Sequence, residues 1–93
     1  MIDRTLAEFG RIDFLVNNAG VVHDRFLVKV NHEDIADEIL VNLTAVIECA
    51  QAVLPPMLSQ KSGHIVNITS MMGIVALPHA SIYSASRFGV VGF

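Results

Sequence analysis

Two short apolar runs and one long periodic segment dominate the hydrophobic pattern of the chain. The runs IDFLV (12–16) and HIVNIT (64–69) are largely apolar, which predicts two short strands that are buried on both faces. Between them, apolar residues recur at intervals of three and four from Ile35 to Met57, which predicts an amphipathic helix of about 25 residues. The order strand, helix, strand predicts a parallel βαβ unit with a right-handed crossover.

A few residues indicate where the helices begin and end. Gly10 is expected to cap the C-terminus of a short first helix. Asn31 is expected to cap the N-terminus of the long helix, with Asp34 in a capping-box-like position. Because proline lacks a backbone N–H, Pro55 and Pro56 are expected to kink or tighten the last turns of that helix.

The composition narrows the class of protein. The chain has 93 residues, of which 53% are hydrophobic, so a chain this short is expected to leave part of its core uncovered. Its net charge of −3 gives no basic footprint for nucleic acid. Residues 62–86 hold no Lys, Arg, Asp or Glu, but their glycine, proline and asparagine argue against a membrane helix.

The N-terminus and the single cysteine bear on location. Residues 1–13 contain early acids and no apolar segment, so they do not resemble a signal peptide. Cys49 is the only cysteine, which excludes an internal disulfide and fits a reducing compartment, so a cytoplasmic location is expected.

The histidines and most charged residues carry no pattern that indicates chemistry. No metal site is expected, because no metal-ligand spacing links the four histidines, which are His23, His32, His64 and His79. A solvated helix face is expected for the charged residues Lys29, Glu33, Asp34, Asp37 and Glu38.

Polar side chains lie where each predicted strand ends and where a last helix begins. Asn18 follows the first strand, Ser70 follows the second, and Tyr83 precedes Arg87 by about one helical turn. In open α/β sheets ligands bind outside the carboxyl ends of the strands, so these groups are expected to meet there. Each feature alone is weak, since a Tyr–Arg pair at this spacing is more often structural. Their combination in this order indicates a binding site.

Four stretches resemble the short-chain dehydrogenase/reductase family, and most of all its 3-oxoacyl-ACP reductase branch. They are DFLVNNAG (13–20), VNLTAVI (41–47), GHIVNITSMMG (63–73) and YSASRFGVVGF (83–93). The resemblance implies an α/β protein with a partial Rossmann fold. It also implies hydride transfer between NADP or NAD, which the chain does not distinguish, and a small carbonyl or alcohol substrate.

The same resemblance implies a role for each residue of the site. Tyr83 would be the general acid, and a nearby cation would lower its pKa from about 10 toward working pH. Ser70 would hold the substrate oxygen, and Asn42 would join through a water relay, although the sequence without the resemblance favours a polar interruption of a helix face at Asn42. Asn17 is expected to tie the strands together. The implied cofactor-binding residues are Asn18, Ala19, Gly20, Tyr83 and Arg87, and the implied substrate-binding residues are Ser70, Met71 and Met72.

Two features depart from the pattern of the family. The family has a lysine four residues after the tyrosine, where this chain has Arg87. Because a guanidinium is larger, planar and effectively never deprotonated, turnover is expected to fall by about 10²–10⁴-fold. Residues 1–93 also lack the glycine-rich turn that binds pyrophosphate and the later strands. We therefore expect 1–93 to be the central fragment of one NAD(P)-binding domain of about 250 residues.

Three hypotheses about function follow. The first is part of a reductase, which as an isolated fragment is expected neither to bind cofactor well nor to turn over. The second is a pseudoenzyme or scaffold subunit, which Arg87 favours. The third is an interaction module. The resemblance implies a homo-oligomer that assembles through the helix at 33–58 and the helix that begins near Tyr83.

Overall fold

The computed structural model describes residues 1–69 and 76–93. Short 3₁₀ turns at Leu27–Lys29 and Pro78–Ala80 precede the second and last helices. The observed order confirms the predicted α/β class. Its elements are helix α1 (Ile2–Phe9), strand β1 (Phe14–Asn17), helix α2 (His32–Ile39), a π-helical segment (Leu40–Thr44), helix α3 (Ala45–Gln60), strand β2 (His64–Asn67) and helix α4 (Ser81–Gly92).

The two strands form a parallel pair, as the βαβ prediction requires. Phe14 lies opposite His64, and Asn17 lies opposite Asn67. Asn17 Nδ2 donates a 2.9 Å hydrogen bond to Asn67 Oδ1, which confirms that Asn17 ties the strands together. One face of the sheet packs on α1 and α3 around a buried cluster of Ile12, Leu15, Val53 and Met57, with the half-buried Ile2, Leu6, Cys49 and Ile65 beside it.

The described residues leave the other face of the sheet largely uncovered. Alternate strand residues point to the same face, and on this face Phe14 is 65% exposed, Val16 56% and Val66 42%. The prediction that the chain lacks the cover its strands call for is therefore confirmed. Within the described residues, the core lies on the helical side of the sheet alone.

Strand β1 begins at Phe14, two residues later than predicted, because the Gln60 side chain hydrogen-bonds both backbone groups of Ile12. Gln60 Oε1 accepts a 3.0 Å hydrogen bond from the Ile12 N–H, and Gln60 Nε2 donates a 2.7 Å bond to the Ile12 carbonyl. On either side of Ile12, Arg11 hydrogen-bonds Asp13 and so lowers the pKa of the Asp13 carboxyl group. Since both side chains are exposed, that ion pair adds little to stability.

The predicted helix caps are observed. Gly10 adopts a left-handed conformation with φ 75°, and its N–H donates to the Leu6 carbonyl at 2.8 Å. Asn31 Oδ1 accepts a 2.8 Å hydrogen bond from the Asp34 N–H at the start of α2. The prolines at 55 and 56 do not end α3, which continues through them to Gln60.

The long helix differs from the prediction at its centre. Residues His32–Gln60 are helical throughout, but the Ala45 N–H bonds the Leu40 carbonyl five residues back, and Leu40–Thr44 is π-helical. Asn42 lies in the middle of this segment. Segments of this kind occur mostly as single turns inside α-helices, and they are frequent at functional sites.

The helical run His32–Gln60 is also long and apolar enough to cross a membrane, with a mean hydropathy of 1.5. This is a weak indication of a span, because core helices of soluble proteins pass the same test.

Candidate functional site

Arg87 is buried beside Tyr83 on α4. The side chain is 6% exposed, and its Nη1 donates a 3.0 Å hydrogen bond to the Ile68 carbonyl just beyond β2. Its guanidinium carbon lies 5.1 Å from the centroid of the Tyr83 ring, within the range of a cation–π contact. The predicted pairing of the two side chains on one helix face is therefore confirmed, and it occurs at the carboxyl end of the sheet.

Gly20 lies against the same guanidinium. A Cβ placed on Gly20 would be 2.0 Å from Arg87 Nη2 and 3.3 Å from Asn42 Oδ1. The first distance is too short for two non-bonded atoms, so a side chain at residue 20 would force the Arg87 guanidinium to shift. The structure thus brings the loop after β1, the π segment and α4 together around Gly20, Asn42 and Arg87.

Asn42 holds the backbone that follows Gly20. The residue is fully buried, its Oδ1 accepts a 2.8 Å hydrogen bond from the Val21 N–H, and its Nδ2 donates a 2.7 Å bond to the Val21 carbonyl. Both groups of the amide are therefore engaged with the loop. A part for Asn42 in a water relay stays a prediction.

Asn18 and Ala19 are exposed, as is Gly20, directly after β1. These residues are accessible to a ligand, and Gly20 lies next to the buried positive charge of Arg87. Exposed backbone at the carboxyl edge of a parallel strand, beside a cation, suits the polar hydroxyl and phosphate groups of a dinucleotide.

Part of the predicted site lies outside the described residues, namely Ser70, Met71 and Met72. Their roles stay predictions. The neighbouring Thr69 is described, and its Oγ1 donates a 3.5 Å hydrogen bond to the Arg87 carbonyl, which links the end of β2 to α4.

The prediction of a solvated face that includes Glu38 is wrong. Glu38 is 1% exposed, and its Oε1 accepts a hydrogen bond from the His23 N–H. The face is not a simple acidic stripe, because α2 packs its Glu38 side against the loop that follows Gly20. One signal in the sequence pointed to this contact, since Glu38 precedes Asn42 by four residues and so shares its face.

Replacing Gly20 by alanine is expected to destabilise the fold by about 1–3 kcal/mol, the usual cost of an overpacked site. The new methyl group must displace a buried guanidinium that is hydrogen-bonded to Ile68. Urea unfolding of the 93-residue chain measures the effect. Gly92→Ala is the matched control, because a Cβ at Gly92 has no neighbour within 4 Å.

The cause of this loss can be checked by removing the guanidinium. In the Arg87→Ala background, Gly20→Ala is expected to cost much less, since contacting residues show non-additive effects. An equal cost in both backgrounds would mean that the guanidinium is not what excludes the methyl group.

The whole chain, residues 1–93, matches the family described as short chain dehydrogenase. A 3-oxoacyl-[acyl-carrier-protein] reductase of Synechocystis sp. is 48% identical to it over 93 residues, which are 100% of this chain and 38% of that protein. Reductases of the same description from Thermotoga maritima and Staphylococcus epidermidis are 42% and 41% identical over 92 residues, covering 99% of this chain and 37% and 38% of those proteins. The chain thus spans less than two fifths of the length of these relatives.

Proposed function

The chain belongs to the short-chain dehydrogenase family, and from this premise we propose that its site supports hydride transfer between a nicotinamide cofactor, NADP or NAD, and a substrate, from the reduced cofactor to a carbonyl or from an alcohol to the oxidised cofactor. The observation that carries the proposal is the convergence of Gly20, Asn42, Tyr83 and Arg87 at the carboxyl edge of the sheet. The names of the relatives favour a 3-oxoacyl thioester as the substrate.

In this proposal the cofactor would contact the backbone of residues 18–20 and the side chains of Tyr83 and Arg87 on α4. When bound, the cofactor supplies the hydride that adds to the carbonyl carbon. Tyr83 donates its phenolic proton to the carbonyl oxygen during reduction, and it takes a proton from the alcohol in the reverse direction. The positive charge of Arg87 stabilises the phenolate that proton donation leaves behind.

The remaining roles follow the family resemblance. Ser70 would hydrogen-bond the substrate oxygen and hold it near the Tyr83 hydroxyl. Met71 and Met72 would line the substrate. The free Cys49, half-buried against the core, fits the proposed cytoplasmic location.

The test is a hybrid reductase, in which residues 1–93 replace the matching segment of the Synechocystis relative. We expect it to oxidise NADPH or NADH in the presence of a 3-oxoacyl thioester, with saturation in both cofactor and thioester. The rate is expected to be lower than that of the unaltered relative because of Arg87. A hybrid that folds and binds neither cofactor would overturn the proposal.

A pseudoenzyme is the second candidate, and the engagement of Arg87 favours it. Its guanidinium is buried against Gly20 and bonded to Ile68, which makes the side chain part of the framework. A hybrid that binds NADPH and oxidises none of it across a panel of ketones and thioesters would identify this function. The two candidates therefore differ in turnover and share cofactor binding.

For the 93-residue chain alone we expect no saturable increase in melting temperature with NADH or NADPH. The chain has no glycine-rich turn to bind the pyrophosphate, so the 18–20 segment would have to hold the cofactor without it. Thermal unfolding across a cofactor titration measures this. A clear, saturable shift would refute the proposal that 1–93 is an incomplete cofactor-binding domain.

We also propose that α3 and α4 form the interface of a homo-oligomer. Large apolar side chains are exposed on both helices, namely Ile47, Leu54, Leu58, Phe88 and Val91. Exposed apolar patches of this kind mark sites of association. In the hybrid, Leu54→Glu with Phe88→Glu is expected to lower the mass measured by light scattering.

The control for this experiment is Val28→Glu, at an apolar residue that is 88% exposed but lies on neither helix. Its mass is expected to equal that of the parent hybrid. If the double variant also keeps the parent mass, the interface lies elsewhere.

A further inference from the structure

Glu38 is a buried carboxylate that the proposed reaction does not use. Its side chain is 1% exposed, and the Glu38 Oε1 accepts a hydrogen bond from the His23 N–H. Burying a carboxylate is costly unless hydrogen bonds compensate it. Its one described hydrogen bond is to the backbone of the loop after β1, so the role of Glu38 concerns that loop.

Glu38 and Asn42 act together on the same stretch of backbone. Glu38 bonds the N–H of His23, and Asn42 bonds both the N–H and the carbonyl of Val21. One helical run therefore supplies three hydrogen bonds to residues 21–23. These residues directly follow the exposed segment 18–20.

The side chains of His23 and Asp24 add to the attachment of this loop to its neighbours. His23 Nε2 lies 3.2 Å from Asp37 Oδ2 and 3.7 Å from Asp34 Oδ1, so α2 holds both the backbone and the ring of His23. The next residue, Asp24, pairs with His79 in the 3₁₀ turn that leads into α4. The loop is thus attached to α2 on one side and to the entrance of the Tyr83 helix on the other.

We propose that Glu38 is a positioning residue for the cofactor-binding segment 18–20. By fixing the His23 N–H, it keeps the preceding backbone in place, so that Gly20 stays against the Arg87 guanidinium. Without this acceptor, the His23 N–H loses its partner, and the loop moves toward water to recover one. The assignment of 18–20 to a nicotinamide cofactor rests on the proposed function; the positioning of the segment does not.

Amide hydrogen exchange of the 93-residue chain tests the positioning directly. In Glu38→Ala, exchange at Gly20, Val21 and His23 is expected to accelerate by about tenfold or more, the effect of losing a hydrogen bond to a charged group. Exchange in α3, at Val53, is expected to stay within about threefold. Glu38→Gln keeps an acceptor oxygen and is expected to restore protection, and Glu48→Ala, at an exposed glutamate of the same helical run, should change nothing.

Two outcomes would overturn the inference. One is unchanged exchange at 20–23 in Glu38→Ala. The other is equal acceleration at Val53 and at His23, which would assign Glu38 to the global stability of the fold. Should Glu38→Ala fail to fold, Glu38→Leu, which preserves the buried volume, replaces it. If neither variant folds while Glu38→Gln loses protection everywhere alike, the positioning role is likewise overturned.

The hybrid reductase separates this inference from the proposed function. There, Glu38→Ala is expected to raise the KM for NADPH by about tenfold while kcat stays within about threefold, and Glu38→Gln is expected to reverse the change. A hybrid without cofactor binding, combined with the expected exchange result, removes the proposed function and leaves the positioning of the segment intact. An active hybrid in which Glu38→Ala leaves exchange at 20–23 unchanged would support the proposed function and overturn the positioning role of Glu38.

Discussion

Replacing Arg87 by lysine is expected to raise the kcat of the hybrid reductase by about 10²–10⁴-fold, the usual contribution of acid–base assistance. An ammonium group is compact and can exchange its proton, whereas a guanidinium is planar and keeps its charge at all working pH values. Lysine at this position would support the Tyr83 phenolate and could take part in proton transfer. Steady-state kinetics with NADPH and a 3-oxoacyl thioester measure the change.

The same substitution is expected to cost stability. Lysine loses the fork geometry that lets Arg87 bond the Ile68 carbonyl while its Nη2 lies against Gly20. Loss of one such hydrogen bond is worth about 1 kcal/mol. A hybrid that gains activity while its melting temperature falls would match the structure on both counts.

Arg4→Lys is the matched control, because Arg4 lies on α1 with a largely exposed side chain. It is expected to change neither kcat nor stability. If Arg87→Lys leaves kcat at the parent value, arginine performs the role of lysine in this protein, and the departure from the family pattern has no catalytic consequence.

Replacing Tyr83 by phenylalanine is expected to lower kcat by about 10²–10⁴-fold in the Arg87→Lys hybrid. Phenylalanine keeps the ring that the cationic side chain on the next helical turn packs against, but it has no proton to donate. In the parent hybrid, which retains Arg87, the loss is expected to be much smaller. Two residues that act as a unit show strongly non-additive effects, because removing either disables the same step.

The control for Tyr83→Phe is cofactor binding. Because Tyr83 is also an implied cofactor-binding residue, the Kd for NADPH is measured separately, and kcat is compared at saturating NADPH so that the loss reports turnover. Equal fold-losses in the arginine and lysine backgrounds would mean that residue 87 does not act through Tyr83, and that the two contribute independently.

Local sequence patterns were sufficient to predict the helix caps, the order of the helices and strands, and the contact of Tyr83 with Arg87. Gly10 and Asn31 act as caps because their preferences depend on backbone geometry within a few residues. The strand–helix–strand order and the i, i+4 contact of Tyr83 with Arg87 likewise follow from short-range periodicity. The predicted family is confirmed over the whole chain.

Other features depend on packing between distant segments, and they could not be read from spacing. The burial of Glu38 is set by the loop that passes over α2, and the later start of β1 is set by Gln60, which lies 48 residues from Ile12 in sequence. The approach of Arg87 to Gly20 is a distance between side chain and backbone that no motif specifies. The motif identifies which residues take part, whereas their hydrogen bonds emerge only from the fold.

The π segment has a consequence for the phase of the long helix. A regular α-helix advances by about 100° per residue, and a π turn accommodates one residue more than the α-helical turn it replaces. If the same residues at Leu40–Thr44 formed regular α-helix, every residue after them would be rotated relative to α2. The hydrogen bonds to the loop and the packing of α3 on the sheet could then not both be kept. The break in helical phase is therefore a condition for one continuous helix to serve two differently oriented surfaces.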